Sequence, residues 1–363
     1  MSEEVVAFEP KPIGTITPEC ALTTVRYSPC GRVLAGTGFD QAIHRWDLAK
    51  MENPGDEKMF AVPGLEKVNG HNGFVSGLEF HPKREIAFSA DSWGQLKAWP
   101  YLAEKPEPIW ALPEAHDGWL RDLAIGDDGD WIATCGRDGI CRIFSTIDGG
   151  LLAKFGGHDG EDVFAIAVHP SGKWAVSGDL RGRILQWEVK TGKIVREFDG
   201  ADFHTLHRLQ DLAGLRKLYF SPDGNTLIAG GSLPTGGANF RGRAHVRMFD
   251  FESGKVAQDV VIGDEAKDVF AHDVALHPEG CLVACTTGQS GSGNLILHRP
   301  GEEEPIFKSN KGTINCHGLA LSPDAKQVAV SATNRGSNAN GRRLDKEGNY
   351  PHNHSPIFLF ELV

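Results

Sequence analysis

The chain has 363 residues, 44 of them glycine, with 40% hydrophobic residues and a formal net charge of −11. No apolar stretch approaches the roughly 20 residues a helix needs to cross a bilayer, so no membrane role is expected, and the net charge disfavours nucleic-acid partners. The opening MSEEVVAFEP carries acids where a secretory leader carries positive charge, and the seven cysteines are scattered without a CxxC pair; both point to a cytoplasmic protein with reduced core thiols.

In chain order, residues 11–19 within KPIGTITPEC read first, as an outer strand with no sheet of its own yet. A two-strand unit then recurs seven times: VRYSPCGRVLAGTG, LEFHPKREIAFSAD, LAIGDDGDWIATCG, IAVHPSGKWAVSGD, LYFSPDGNTLIAGG, VALHPEGCLVACTT and LALSPDAKQVAVSA. Its turns fall at Pro29, Pro82, Asp127, Pro170, Pro222, Pro278 and Pro323, 43 to 56 residues apart, against roughly 40–45 for a propeller blade. A third strand ending in an aromatic follows in six units, at Trp46, Trp99, Phe144, Trp187, Phe249 and Phe360, while LILHR in the sixth unit lacks one. Fourth strands read in EPIWALP, GLLAKFGG, GKIVREFDG and EPIFKSN.

One twisted four-stranded sheet cannot cover both its faces, but seven packed radially cover one another. The pattern therefore predicts an all-β, seven-bladed propeller of four-stranded antiparallel blades, with one domain spanning 1–363 and blades near 20–70, 71–115, 116–157, 158–200, 201–264, 265–311 and 312–363. The last unit stops at its third strand, SPIFLFELV, so strand 11–19 is expected to complete it and close the ring.

These residues resemble the Trp-Asp repeat propellers over essentially the whole chain. Gly70–His71 and Gly157–His158 match the family's Gly-His, Trp46–Asp47 its namesake pair, and Asp40 and Asp138 its turn aspartate six residues before the aromatic. The resemblance implies a brace of His, Ser or Thr, Asp and Trp inside each blade. At the family's spacing no blade keeps all four: Trp93 and Arg181 stand where blades two and four need aspartate, blade one lacks the histidine, and blade three has Phe144 for tryptophan.

Long insertions fall at 200–216, in GSLPTGGANFRGR, in TGQSGSG and in SATNRGSNANGRRLDKEGNYPHNHS, all on the face where that family's blade-joining loops lie. Six residues before each turn stand Thr23, Ser76, Arg121, Phe164, Arg216, His272 and His317, equivalent positions that form a ring at the channel mouth. Arg121, Arg216, His272 and His317, with loop residues Arg241, Arg243, Arg335, Arg342 and Arg343, are the candidate partner-binding set, because guanidinium suits bidentate recognition of carboxylates. Internal pairing with Asp122, Asp211, Asp273 or Asp345 is the competing account of these arginines.

No zinc-protease helix, nucleophile elbow or strand-to-helix phosphate loop is present, and no cofactor is expected. The expected function is a non-enzymatic protein-interaction scaffold, a subunit of a larger assembly, binding an acidic partner segment near blades five to seven. The alternative is a metal-dependent propeller hydrolase or lactonase using His272, Asp273, Asn315 and His317 at the mouth. His352 and His354 form a second, weaker metal pattern, and nucleic-acid binding through Arg335, Arg342, Arg343 and Lys346 is opposed by Asp345 and Glu347.

Overall fold

Seven antiparallel four-stranded sheets, each following the last in sequence, build the ring. This computed structural model describes residues 9–51, 64–207, 210–235, 241–263, 268–288, 292–310, 313, 315–333 and 354–362. The inner strands are Leu22–Tyr27, Val75–Phe80, Leu120–Ile125, Val163–Val168, Lys217–Phe220, Phe270–Leu276 and Gly318–Leu321. Second strands such as Val33–Gly38 are buried along their whole length, which explains their small residues: a blade neighbour covers each face. Outer strands such as Leu151–Phe155 are largely exposed.

Apolar clusters sit between blades rather than within them. Ala133, Cys135 and Ile143 of blade three pack with Val163, Ile166, Leu185 and Trp187 of blade four, so each sheet depends on its neighbour for most of its burial. All seven cysteines are free thiols; five are buried, whereas Cys20 is half-buried and Cys30 exposed.

Closure uses the outer strand. Pro10–Ile16 pairs antiparallel with Ile357–Leu362, from Pro10 opposite Leu362 to Ile16 opposite Ile357. Ser355 fastens the same seam: its Oγ accepts from Leu22 N at 2.8 Å, and its N donates to Cys20 O at 3.0 Å.

In six of the seven blades the turn after the inner strand takes left-handed backbone at its third residue. Gly31 and Gly224 supply it at φ 72° and 74°, but in blade seven Ala325 adopts φ 57° without glycine's freedom.

Blades two and four correct the expectation that no blade keeps the full brace. His71 Nδ1 meets Asp91 Oδ2 at 2.9 Å, its Nε2 meets Ser89 Oγ at 2.6 Å, and Trp99 Nε1 donates to the same Oγ at 2.7 Å. Blade four repeats this with His158, Asp179, Ser177 and Trp187. The aspartate stands two residues earlier than the family spacing, at the end of strand two, and accepts the turn's amides: Asp179 Oδ1 takes Arg181 N at 2.9 Å and Arg183 N at 3.0 Å. In blade six a buried Asp268 takes the histidine's place, accepting from Thr286 Oγ1 at 2.6 Å and Lys308 Nζ at 2.9 Å.

Two insertions carry regular structure. His204–His207 pairs with Gln210–Ala213 in a small hairpin between blades four and five, and blade five's second and third strands lengthen to Thr226–Pro234 and Gly242–Asp250.

Candidate partner-binding site at the channel mouth

Antiparallel succession returns every blade-joining segment and every turn between strands two and three to one face, where the inner strands begin. At that face the ladders slip between Leu22 and Thr24, Val75 and Gly77, Leu120 and Asp122, Val163 and Ala165, and Ala271 and Asp273. Thr23, Ser76, Arg121, Phe164 and His272 are therefore the extra residues of β-bulges, a device that re-aims side chains. Arg216 and His317 immediately precede the first ladder residues of their blades, Lys217 and Gly318.

The ring divides by chemistry. Thr23 and Ser76 staple neighbouring blades, donating to Val75 O at 2.5 Å and Leu120 O at 2.6 Å. From blade three onward, cations and rings alternate. Arg121 Cζ lies 3.7 Å from the Trp119 ring centre and 4.7 Å from that of Phe164; Arg216 Cζ lies 5.5 Å from Phe164 and 4.4 Å from Phe270. His272 follows, 5.7 Å from Phe270 and 6.2 Å from His317. In the other direction Phe74 stands edge-on to Trp119 at 4.8 Å and stacks on Phe39 at 5.2 Å. Phe39 is 57% exposed, and Trp93 on the neighbouring turn is 65% exposed.

Phe74, Trp119 and Phe270 were not among the sequence candidates. They stand two residues before Ser76, Arg121 and His272, so the same count from the turns, carried two residues further, reaches them.

The charges are unequal. Arg121 grips Asp162 with two bonds, Nε to Oδ1 at 3.1 Å and Nη2 to Oδ2 at 2.5 Å, and is largely neutralised. Burial pushes His317 down to about 4, and burial, with Arg216 and then His317 beside it, pushes His272 down to about 3. Both imidazoles are neutral at pH 7. Arg216 has no carboxylate partner among the described residues; its Nη1 donates to Leu215 O at 2.8 Å. Burial and the nearby Arg121 lower its guanidinium to about 10, which leaves it charged at pH 7. Among the described ring positions, Arg216 is therefore the charged residue without a carboxylate partner.

Arg241 and Arg243 are exposed and flank the Pro234–Gly242 pair at the end of the blade-five ladder. Arg335, Arg342 and Arg343, with Lys346 and His352, lie outside the described residues.

Below the mouth a belt of charge crosses the channel. Arg26 Nη1 meets Asp273 Oδ2 at 3.0 Å and its Nε lies 3.6 Å from Glu79; Lys217 lies 3.7 Å from Asp122. Asp122 thus serves Lys217, not Arg121. Beyond the belt, a cavity of about 490 Å³ opens among Arg26, Glu79, Lys217, Tyr219 and the turn prolines Pro170 and Pro222, at the opposite end from the loops.

The hydrolase set does not assemble. Asp273 Oδ2 accepts from Arg26 and Leu319 N, and the Asn315 amide nitrogen donates to Ser292 O at 2.9 Å and Gly288 O at 3.2 Å. His272 and His317 are left edge to face, without a shared carboxylate ligand among the described residues.

Seven radial four-stranded sheets define a seven-bladed β-propeller, and the buried His–Asp–Ser–Trp braces in blades two and four resemble those of Trp-Asp repeat propellers. The family model described as WD domain, G-beta repeat matches residues 107–145 and 149–188, largely within blades three and four. Among its relatives, a guanine nucleotide-binding protein subunit beta-like protein of Encephalitozoon cuniculi is 26% identical over 260 residues, covering 67% of this chain and 73% of the relative. A guanine nucleotide-binding protein subunit beta of Nicotiana tabacum is 24% identical over 275 residues, covering 74% of this chain and 66% of the relative. Eukaryotic translation initiation factor 3 subunit I of Neosartorya fischeri is 26% identical over 118 residues, only 32% of this chain and 31% of the relative. No helix among the described residues is long and apolar enough to cross a membrane.

Proposed function

We propose that this propeller is a non-enzymatic, cytoplasmic interaction scaffold that works as a subunit of a larger assembly, as the relatives named as subunits suggest. Its mouth receives a partner segment carrying an aspartate or glutamate. The observation that carries this reading is Arg216: a half-buried cation, set between Phe164 and Phe270, without a carboxylate partner among the described residues. Burying an unpaired charge costs stability, and a partner's carboxylate supplies the missing counter-ion. Apolar side chains flanking that acid would rest on Phe39, Phe74 and Trp93, where half-buried and exposed rings adjoin the mouth. Arg241 and Arg243 are assigned to the same face as steering charges, and Arg335, Arg342 and Arg343, outside the described residues, are proposed to contribute to the same binding.

A peptide array of varied sequence, probed with the full chain, tests this directly. Binders should contain aspartate or glutamate and lose at least about ten-fold in affinity when that acid is amidated, and Arg216→Glu should abolish their binding without unfolding the chain. Binders indifferent to both changes would overturn the assignment. Recovery of the same partner by co-purification with wild type but not with Arg216→Glu places the result in the cell.

A further inference from the structure

Where the channel mouth meets the ring's seam, three side chains of different chemistry point their donor atoms at one another. Cys20 Sγ lies 3.1 Å from His44 Nε2, Asp40 Oδ1 and Oδ2 each lie 3.1 Å from the same nitrogen, and Cys20 Sγ lies 3.5 Å from Asp40 Oδ1. The Cys20 thiol donates to Asp40 Oδ1 across a long 3.5 Å, and a single imidazole N–H is shared between both oxygens of Asp40. If the nitrogen is unprotonated, its lone pair instead faces a carboxylate. These bonds are long or shared, whereas a cation at the centre would engage the sulfur, the nitrogen and a carboxylate oxygen together.

The triangle has the size a tetrahedral zinc requires. With Zn–S about 2.3 Å and Zn–N and Zn–O about 2.0–2.2 Å, ligand atoms of one tetrahedron stand roughly 3.4–3.6 Å apart. The observed separations of 3.1, 3.1 and 3.5 Å reach these values with movements of half an ångström or less. Lys67 Nζ holds Asp40 Oδ2 at 3.1 Å, which leaves Oδ1 directed at the other two ligands and acts as the outer-shell partner such a carboxylate needs. Gly38 forms the wall: a Cβ there would overlap Asp40 Oδ1 and come within 3.0 Å of Cys20 Sγ and 3.3 Å of His44 Nε2.

A cysteine nucleophile is the competing use of these residues and does not fit. One nitrogen of His44 faces both Cys20 and Asp40, so no relay through the ring connects them. Burial, and then the negative charge of Asp40, push the Cys20 thiol up to about 12, the opposite of activation.

We propose that Cys20, Asp40 and His44 form a zinc site with one position open to solvent, tying the lead-in to blade one to the turn between its second and third strands. Cys20 O also accepts from Ser355 N of blade seven, so the ion would stiffen the seam at which the ring closes. This site is separate from the acidic-segment reading of the mouth, and either stands if the other fails.

Equilibrium dialysis of the full chain against buffered Zn²⁺ should give one ion per chain, with at least about ten-fold weaker binding in Cys20→Ser and in His44→Gln. Cobalt substitution should give a sulfur-to-cobalt charge-transfer band in the near ultraviolet that Cys20→Ser removes. Affinity should rise with pH, because the Cys20 proton must leave. Zinc that persists in both variants but is lost in His352→Ala with His354→Ala would overturn the assignment, as would the absence of saturable zinc. Should a variant fail to fold by circular dichroism, the wild-type cobalt spectrum decides: no thiolate band, no site.

Discussion

His158 Nδ1 lies 2.7 Å from Asp179 Oδ2, and both side chains are fully buried. Asp179→Ala leaves the imidazole and two turn amides without their acceptor, and breaking a buried polar pair of this kind costs about 3–5 kcal/mol. Arg181, which occupies the position where the family spacing puts the aspartate, is about half exposed and pairs with Glu161 at 2.7 Å. Arg181→Ala should change stability by less than about 1 kcal/mol. Urea denaturation of the two variants separates the true brace residue from its sequence placeholder; equal losses would refute the assignment.

Arg121 and Arg216 make opposite predictions although both occupy ring positions. Arg121→Met orphans Asp162 and should lower the urea midpoint. Arg216→Met removes a cation that has no counter-ion in the described structure, so stability should hold or rise while capture of acidic peptides is lost. A stability loss in Arg216→Met comparable to that of Arg121→Met would mean that Arg216 is internally compensated.

Acid should loosen the mouth. The unfolded histidines titrate near 6.5, whereas His272 and His317 are held down to about 3 and about 4 in the fold. Between those values the unfolded chain binds protons that the native chain refuses, so stability falls as pH drops below about 6.5 and is level above it. Replacing both residues with asparagine should flatten the fall in urea midpoint between pH 7 and pH 5. An unchanged slope would assign it to other buried histidines such as His71 and His116, which are also lowered by burial.

Ala325 sits in left-handed backbone at φ 57°, where five of the other turns place glycine. Ala325→Gly should stabilise the chain by up to about 1 kcal/mol, since the relief of the left-handed penalty exceeds glycine's added chain entropy. Thermal unfolding reads this directly, and destabilisation would show that the methyl group packs usefully.

The seven inner turns, the aromatic third strands and the outer strand Pro10–Ile16 were all legible in the sequence because each follows a period set by blade geometry. The pairing of charges was not. Whether Asp122 meets Arg121 or Lys217 depends on a bulge that places Arg121 outside the ladder while its neighbour remains within it. Nothing in the repeat marks that slip. Asp91 and Asp179 were hidden for a related reason, since two residues of turn separate them from the spacing at which the family carries its aspartate. The hairpin of His204–His207 with Gln210–Ala213 is too short for alternation to reveal. Phe39 and Trp93 lie on turns, where exposure is a property of the fold rather than of the pattern.

The ladder that joins Pro10 to Leu362 has a mechanical consequence. Because those two residues face each other at one end of the pairing, tension applied to both would peel the strands apart bond by bond instead of shearing all of them together. The ring should therefore yield at this clasp under small forces while its other blades stay intact, giving the molecule a built-in point of opening.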